Sequence, residues 1–308
     1  MGRKEQYRRK KVLSITAIIL VCHILLSFLV TKVIYDSIFR RYDHPGSEIT
    51  DSALTDVMHQ ISFPSGENTL SGKLFDGPGD SLVVIAQGIH SHSGNYIPII
   101  RQFLEQYNRD VFIFDMTGSC ESEGKSGIGF SQAVYDLNAA LDHIAQEYAY
   151  EDIFLIGHSR GGYAACSVLT SRSDVDAVVT INSPNSPMDA VIGATFHTTG
   201  WFAYCNYPIL YLYQAMLFDF KTVSQSASDA IDSCSVPVLI IQAQQDQSVI
   251  WNRFSIYANQ DEISAGSSQF WLIEGDHSSV VYKPSEELLT HIETFFCRYD
   301  TPTSKRSS

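Results

Sequence analysis

Hydrophobic and polar positions divide the chain into two unlike parts. Residues 12–30 (VLSITAIILVCHILLSFLV) are apolar over 19 positions without a formal charge. A helix of about 20 apolar residues spans a bilayer core of roughly 30 Å, so this run predicts one transmembrane helix. Past residue 50, short apolar runs alternate with stretches of helical spacing. Residues 57–63 and 70–75 flank the turn-rich PSGEN at 64–68 and predict an antiparallel hairpin. Residues 81–86 (SLVVIA) and 111–114 have the short apolar pattern of strands buried on both faces, and 152–156, 177–181, 238–241 and 270–273 read as further strands. Helices are predicted at 96–107, 131–148, 161–170 and 285–296. In the second of these Val134, Leu137, Leu141, Ile144 and Ala145 share one face. Repeated strand–helix alternation predicts an α/β domain over 55–300, with a mainly parallel sheet and helices on both faces. The alternation breaks at 183–232.

Charge sharpens the division. The 308 residues carry a net charge of −13, which argues against nucleic-acid binding, where a basic face is the usual footprint. Residues 1–45 hold nine basic and three acidic residues, and the remainder holds 12 basic and 31 acidic. Six Lys/Arg precede the apolar run, and Lys32, Arg40 and Arg41 follow it. The heavier basic side is expected in the cytoplasm, which places the body outside it. The chain then reads as a basic cytoplasmic stub at 1–11, a signal anchor at 12–30, a polar stem at 31–54, the α/β body, and a polar tail at 301–308. A cleaved signal peptide and a buried core helix are the competing readings. The apolar run is longer than a signal-peptide core of about 7–15 residues, and LVTK at 29–32 lacks a small-residue cleavage pattern. His23 reads as a tolerated neutral residue within the span. The five body cysteines, Cys120, Cys166, Cys205, Cys234 and Cys297, include no C-x-x-C pair. A Cys205–Cys234 disulfide is one option and free buried thiols are the other.

The strongest chemical signal is Gly157-His158-Ser159-Arg160-Gly161, a G-x-S-x-G pattern between a predicted strand and a predicted helix. Glycines at Gly157 and Gly161 permit a sharp turn that lifts the serine hydroxyl above the sheet edge. A serine nucleophile needs a base, and the base needs an orienting acid. Asp246 follows the strand PVLIIQ and His277 follows the strand FWLI, in the chain order serine, acid, histidine. Asp261 also remains open as the acid, whereas Asp276 adjoins His277 too closely. His158 reads as a packing residue, His291 lies in the last helix, and His197 lies in the irregular segment. His90 and His92 lie in the loop after SLVVIA and are placed to contact substrate. Two backbone donors are needed for a tetrahedral oxyanion. The N–H of Arg160 supplies one, and Gly88 allows a turn that aims the Ile89 N–H as the other.

Four stretches resemble the α/β-hydrolase superfamily, in its monoacylglycerol lipase-like and serine aminopeptidase-like (lysophospholipase-type) branch. QGIHSHSGNY resembles the family's HG-x-x-x-HSGRY loop, and DMTGSCESEG its D-x-x-GHG-x-SEG loop. GHSRGG resembles its GHSMGG elbow, and Asp246 with GDH resembles its acid and histidine loops. The resemblance covers about 55–298 and implies an α/β-hydrolase fold with an inserted cap at 183–232. It places the triad on Ser159, Asp246 and His277, and the oxyanion donors on Ile89 and Arg160. Gln87 stands where the family has histidine, and Ser119-Cys120 where it has His-Gly. The Arg160 side chain either faces outward or pairs with an acid beneath the site.

The implied chemistry is acyl transfer through an acyl-enzyme, with no metal or organic cofactor. A small acyl or lipid-like ester is the expected substrate, with the membrane as partner through the N-terminal helix. A serine aminopeptidase-like amide hydrolase, an acyltransferase and a non-catalytic binding protein are the alternatives. The cap holds nine aromatics between Phe196 and Phe220. They either line an acyl pocket or pack the cap onto the body.

Overall fold

The computed structural model describes residues 2–301. Met1 and the predicted polar tail, apart from Thr301, lie outside the described residues. Eight strands form one sheet in the order β1-β2-β4-β3-β5-β6-β7-β8. They are β1 (Met58–Ser65), β2 (Asn68–Phe75), β3 (Ser81–Ala86), β4 (Asp110–Phe114), β5 (Asp152–His158), β6 (Ala177–Ile181), β7 (Val238–Ala243) and β8 (Gln269–Ile273). β2 is antiparallel to both neighbours, and β3 to β8 pair in parallel. The hairpin turn is shorter than 64–68, because Pro64 pairs with Thr69 and Ser65 with Asn68. Proline is tolerated there because β1 is an edge strand.

Strand residues alternate between two cores. Leu82, Val84 and Ala86 face a cluster built with Leu137 and Leu141 of the Gln132–Glu147 helix and Ala164 of the Arg160–Ser167 helix. Val83 and Ile85 face a second cluster with Ile99, Phe103, Leu288 and Phe296. Burial on both faces explains why these strands read as continuous apolar runs. After β3 the chain moves to β4 on one side and later to β5 on the other. The loops after β3 and β5 therefore diverge at a topological switch point, where open α/β sheets leave a crevice. Ala86 pairs with Gly157, so the two loops leave the sheet side by side.

Three parts differ from the sequence expectation. Residues 96–107 are not one regular helix: the Ile97–Arg101 helix passes into a wider turn in which Tyr107 N donates to Gln102 O at 3.2 Å. Segment 183–232 is largely helical, with Pro187–Thr199, Tyr207–Phe218, Phe220–Ser224 and Ala227–Asp232 as α-helices. The first two helices are apolar on most sides and the last two are short, so no amphipathic period marks them, and His197 lies on the first. The third difference is at the N-terminus.

The N-terminal helix runs from Arg3 to Ile38 and outlasts the 12–30 span at both ends. It is long and apolar enough to cross a membrane, with an unburied 18-residue window of mean hydropathy 2.6. Residues 31–38, expected in the polar stem, continue this helix and dock on the body. Tyr35 and Phe39 are buried. Tyr213 packs edge-on against Phe28 and Tyr35, and its hydroxyl donates to Asp36 Oδ1 at 3.1 Å. The stem that follows is stitched to the loop after β4. Arg41 donates to the carbonyls of Cys120 (2.7 Å), Ser122 (3.0 Å) and Gly124 (2.8 Å).

Candidate active site

The elbow begins where β5 ends. Ser159 adopts φ 54° and ψ −118°, a conformation that L-residues rarely take and that marks a strained, over-determined turn. Its N–H donates to Ile181 O at 2.9 Å, tying the turn to β6. Neither flanking glycine has positive φ, and what they supply is room. A Cβ at Gly157 would lie 2.4 Å from Gly162 Cα, and one at Gly161 would lie 2.0 Å from Ala86 O. The helix can therefore start against the sheet only with glycine at both positions.

The structure brings Ser159, His277 and Asp246 into one hydrogen-bonded line. His277 Nε2 lies 3.1 Å from Ser159 Oγ, and Nδ1 lies 2.9 Å from Asp246 Oδ2. Asp246 is fully buried, and its other oxygen accepts N–H bonds from Ser248 (2.9 Å) and Val249 (3.1 Å). A carboxylate held in this way accepts the Nδ1 proton and leaves Nε2 as an acceptor toward the serine hydroxyl. Asp276 is turned away: its Oδ1 accepts from the Ser278 and Ser279 N–H groups, which hold its carboxyl below the usual range. Asp261 is exposed in the Tyr257–Glu262 segment and makes no contact with His277.

Ser159, His277 and Ile89 line one cavity of about 290 Å³, with Phe39, Phe130, Val191 and Val249 among its apolar walls. Among the described residues, neither the Ile89 nor the Arg160 N–H has a protein acceptor. Gly88 also has a steric role. Its φ is not positive; the left-handed residue of this loop is His90, at φ 53°. A Cβ at Gly88 would lie 3.0 Å from His158 Nδ1 and 3.5 Å from Ser159 Cβ, so glycine serves close approach to the elbow.

Residues 77–220 match the family model described as serine aminopeptidase, S33. The monoglyceride lipase of Rattus norvegicus is 31% identical over 93 residues, which is 30% of each chain. That of Homo sapiens is 29% identical over 106 residues, 34% of this chain and 35% of the other. The chain thus matches about a third of the length of these curated relatives. An esterase of Pyrococcus furiosus superposes with a TM-score of 0.63 at 18% identity, over 85% of this chain and 99% of that one. Proline iminopeptidase of Mycobacterium smegmatis superposes with a TM-score of 0.53 at 16% identity, over 78% and 98%. The chain has the α/β-hydrolase fold. Its sequence matches fall in the serine aminopeptidase and monoglyceride lipase branch.

Around the line of three, the fold has supports that sequence reasoning missed. His158 is buried, but it does more than pack. Its Nε2 donates to His277 O at 2.9 Å, and its Nδ1 accepts from Tyr96 OH at 3.1 Å. Tyr96 OH in turn accepts the Gly88 N–H at 2.9 Å. Asn182 Nδ2 also donates to His277 O at 2.9 Å, while its Oδ1 accepts from the Ala243 N–H at 2.7 Å. The ends of β3, β5, β6 and β7 are thereby locked to the histidine loop. Only Asn182's position just after a strand hinted at this role.

Burial, reinforced by the neighbouring His277, pushes the His158 imidazole down to about 3. The unfolded chain takes up this proton below about pH 6.5, whereas the folded chain resists until about pH 3. The stability that neutral His158 contributes is complete above about pH 6.5 and is lost as pH falls toward 3. His158→Gln removes this titration. In urea unfolding of the full chain, its stability loss between pH 7 and 5 should be smaller than wild type by about 2 kcal/mol. Equal losses in the two proteins would contradict the assignment.

Arg160 neither faces outward nor pairs directly with an acid. It is buried and donates to the carbonyls of Gly129 (2.7 Å), Gly127 (3.2 Å) and Phe130 (3.3 Å). Gln87 Nε2 donates to Phe114 O at 2.9 Å and Asp115 Oδ1 at 3.2 Å, bridging β3 to β4 below the site. His90 and His92 do not line the Ser159 cavity; His92 stacks on His44 at 4.2 Å. His291 stacks on Trp271, also at 4.2 Å. Cys205 and Cys234 are free thiols. None of the nine cap aromatics lines the Ser159 cavity. Tyr213 packs against the N-terminal helix, whereas Trp201 and Phe202 stay exposed.

Proposed function

We propose that this chain is a membrane-anchored serine hydrolase that cleaves carboxylic esters of lipid-like acids. The observation that carries the reading is the Ser159–His277–Asp246 hydrogen-bond line, set on a strained elbow and open to an apolar cavity. Ser159 Oγ attacks the ester carbonyl while His277 Nε2 takes its proton. Asp246 holds the imidazole in the required tautomer and stabilises its charged form. The Ile89 and Arg160 N–H groups donate to the oxyanion. His277 returns the proton to the leaving alcohol, and water then releases the acid from the acyl-enzyme by the same steps in reverse roles.

Esters are favoured over aminoacyl amides because no acidic side chain lines the cavity to receive a substrate amine. Asp189 lies nearby on the Pro187–Thr199 helix, but burial pushes it up to about 6 and it is bonded to the Ser186 hydroxyl. The N-terminal helix serves as an uncleaved anchor, with the basic stub in the cytoplasm and the hydrolase domain outside it. The segment over 183–232 acts as the cap. A substrate panel tests the reading: p-nitrophenyl esters, monoacylglycerols and lysophospholipids against aminoacyl amides, with and without alcohol acceptors. Ester turnover with free acid as product, at least about a hundredfold above amide turnover in kcat/KM, is expected. Preferred amide cleavage, or acyl transfer in place of hydrolysis, would overturn it.

A further inference from the structure

A second cavity, of about 400 Å³, lies between the N-terminal helix and the 191–210 segment. Its helix wall is one stripe: Leu26 and Ser27, Val30 and Thr31, Ile34 and Tyr35 recur at the spacing of a single helical face. No Asp, Glu, Lys or Arg side chain lines it, and His23 lies at the end of the stripe. The hydroxyls of Thr195 and Thr199 on the opposite wall bond back to carbonyls of their own helix, at 3.0 Å to Ile192 O and 2.9 Å to Thr195 O. Thr31 is paired with Asn206. Apart from the His23 imidazole at the end of the stripe, the wall therefore has little left to offer a polar ligand.

This groove adjoins the Ser159 cavity. Val191 lines both it and the Ser159 cavity. One turn beyond Ile34 and Tyr35, Ile38 and Phe39 line the Ser159 cavity as well. The same helix thus walls both spaces. Beside the groove, Leu25, Leu29 and Val33 are exposed apolar residues, and Phe202 at the rim is 78% exposed. A helix of membrane-spanning composition sets that surface at the level of lipid chains.

We infer that the groove holds the hydrocarbon chain of a membrane-lipid ester, which enters sideways from the bilayer and brings its carbonyl to Ser159. This rests on the ester-hydrolase and anchor readings above. The N-terminal helix is then half of the substrate-binding surface as well as an anchor.

The test uses the full chain in phosphatidylcholine vesicles and a palmitoyl fluorophosphonate carrying a diazirine at its chain end. After attachment at Ser159 and photolysis, cross-links are expected within 23–35 and 191–210. Cross-links confined to other segments, to bulk lipid or to a second copy of the chain would overturn the inference, whether or not any variant folds. Ala203→Trp and Ser27→Trp, on opposite walls, should each lower kcat/KM for a sixteen-carbon ester at least about tenfold more than for a four-carbon ester. Wild-type ester turnover with that ratio unchanged in both variants overturns the groove alone. No ester turnover and no Ser159 adduct in the wild type overturns the hydrolase reading and the groove with it.

Discussion

Ser159→Ala is expected to lower kcat for p-nitrophenyl butyrate by about 10⁵- to 10⁶-fold, the scale on which loss of a triad nucleophile removes the whole covalent route. The substitution deletes one oxygen. The Cβ remains, so the backbone at φ 54° is no more strained than before, and the Arg160 N–H stays free at the start of the helix. The thermal midpoint should therefore stay within about 3 °C of wild type, since a surface-sized change in stability shifts it by no more. Residual turnover within tenfold of wild type, in a protein that unfolds at the same temperature, would show that the hydroxyl is not the nucleophile.

Asp246→Asn should cost about 10⁴-fold in kcat, through tautomer choice and not through lost packing. Asparagine keeps the oxygen that accepts the Ser248 and Val249 N–H groups. It then places an NH₂ against His277 Nδ1, where the carboxylate oxygen now sits at 2.9 Å. Two donors cannot face each other, so Nδ1 loses its proton and Nε2 gains it. Nε2 can then no longer take the serine proton. KM should change much less than kcat, because Asp246 does not line the Ser159 cavity. Asp261→Asn is the control that the sequence left open. Asp261 is exposed and away from the histidine, and its variant should keep kcat within about twofold. Equal losses in the two variants would remove the assignment of the acid.

What the sequence makes legible here follows from local chemistry. The G-x-S-x-G elbow is visible because only glycines fit where Gly161 passes Ala86 O and Gly157 passes Gly162. Asp246 and His277 are visible because each follows a short apolar strand, and strand ends at one sheet edge converge. The supports were hidden because their partners are remote in sequence. His158 meets the carbonyl of His277, 119 residues on, and Asn182 meets it from another strand end. No periodicity records such contacts. Gly88 reads as a turn residue, and its steric constraint, which comes from His158, is invisible in the sequence.

The N-terminal helix shows a different limit. A run that is apolar on every side carries no face signal, so residues 12–30 spoke of lipid and not of the body. The docking face becomes visible only at Thr31, Tyr35 and Phe39, which are buried against the body. Likewise, an aromatic-rich cap signals apolar contact without saying with what. In the structure those aromatics divide between packing, the groove and open surface, while Phe39, Phe130 and Val191 wall the site.

The central claim is that Ser159 is an activated nucleophile. Its most direct measurement is mass spectrometry of the folded full chain after reaction with a small fluorophosphonate. One adduct per chain is expected, on the peptide containing Ser159, absent from Ser159→Ala and slowed in Asp246→Asn. A folded chain that forms no adduct, or forms it on another residue, would contradict the account.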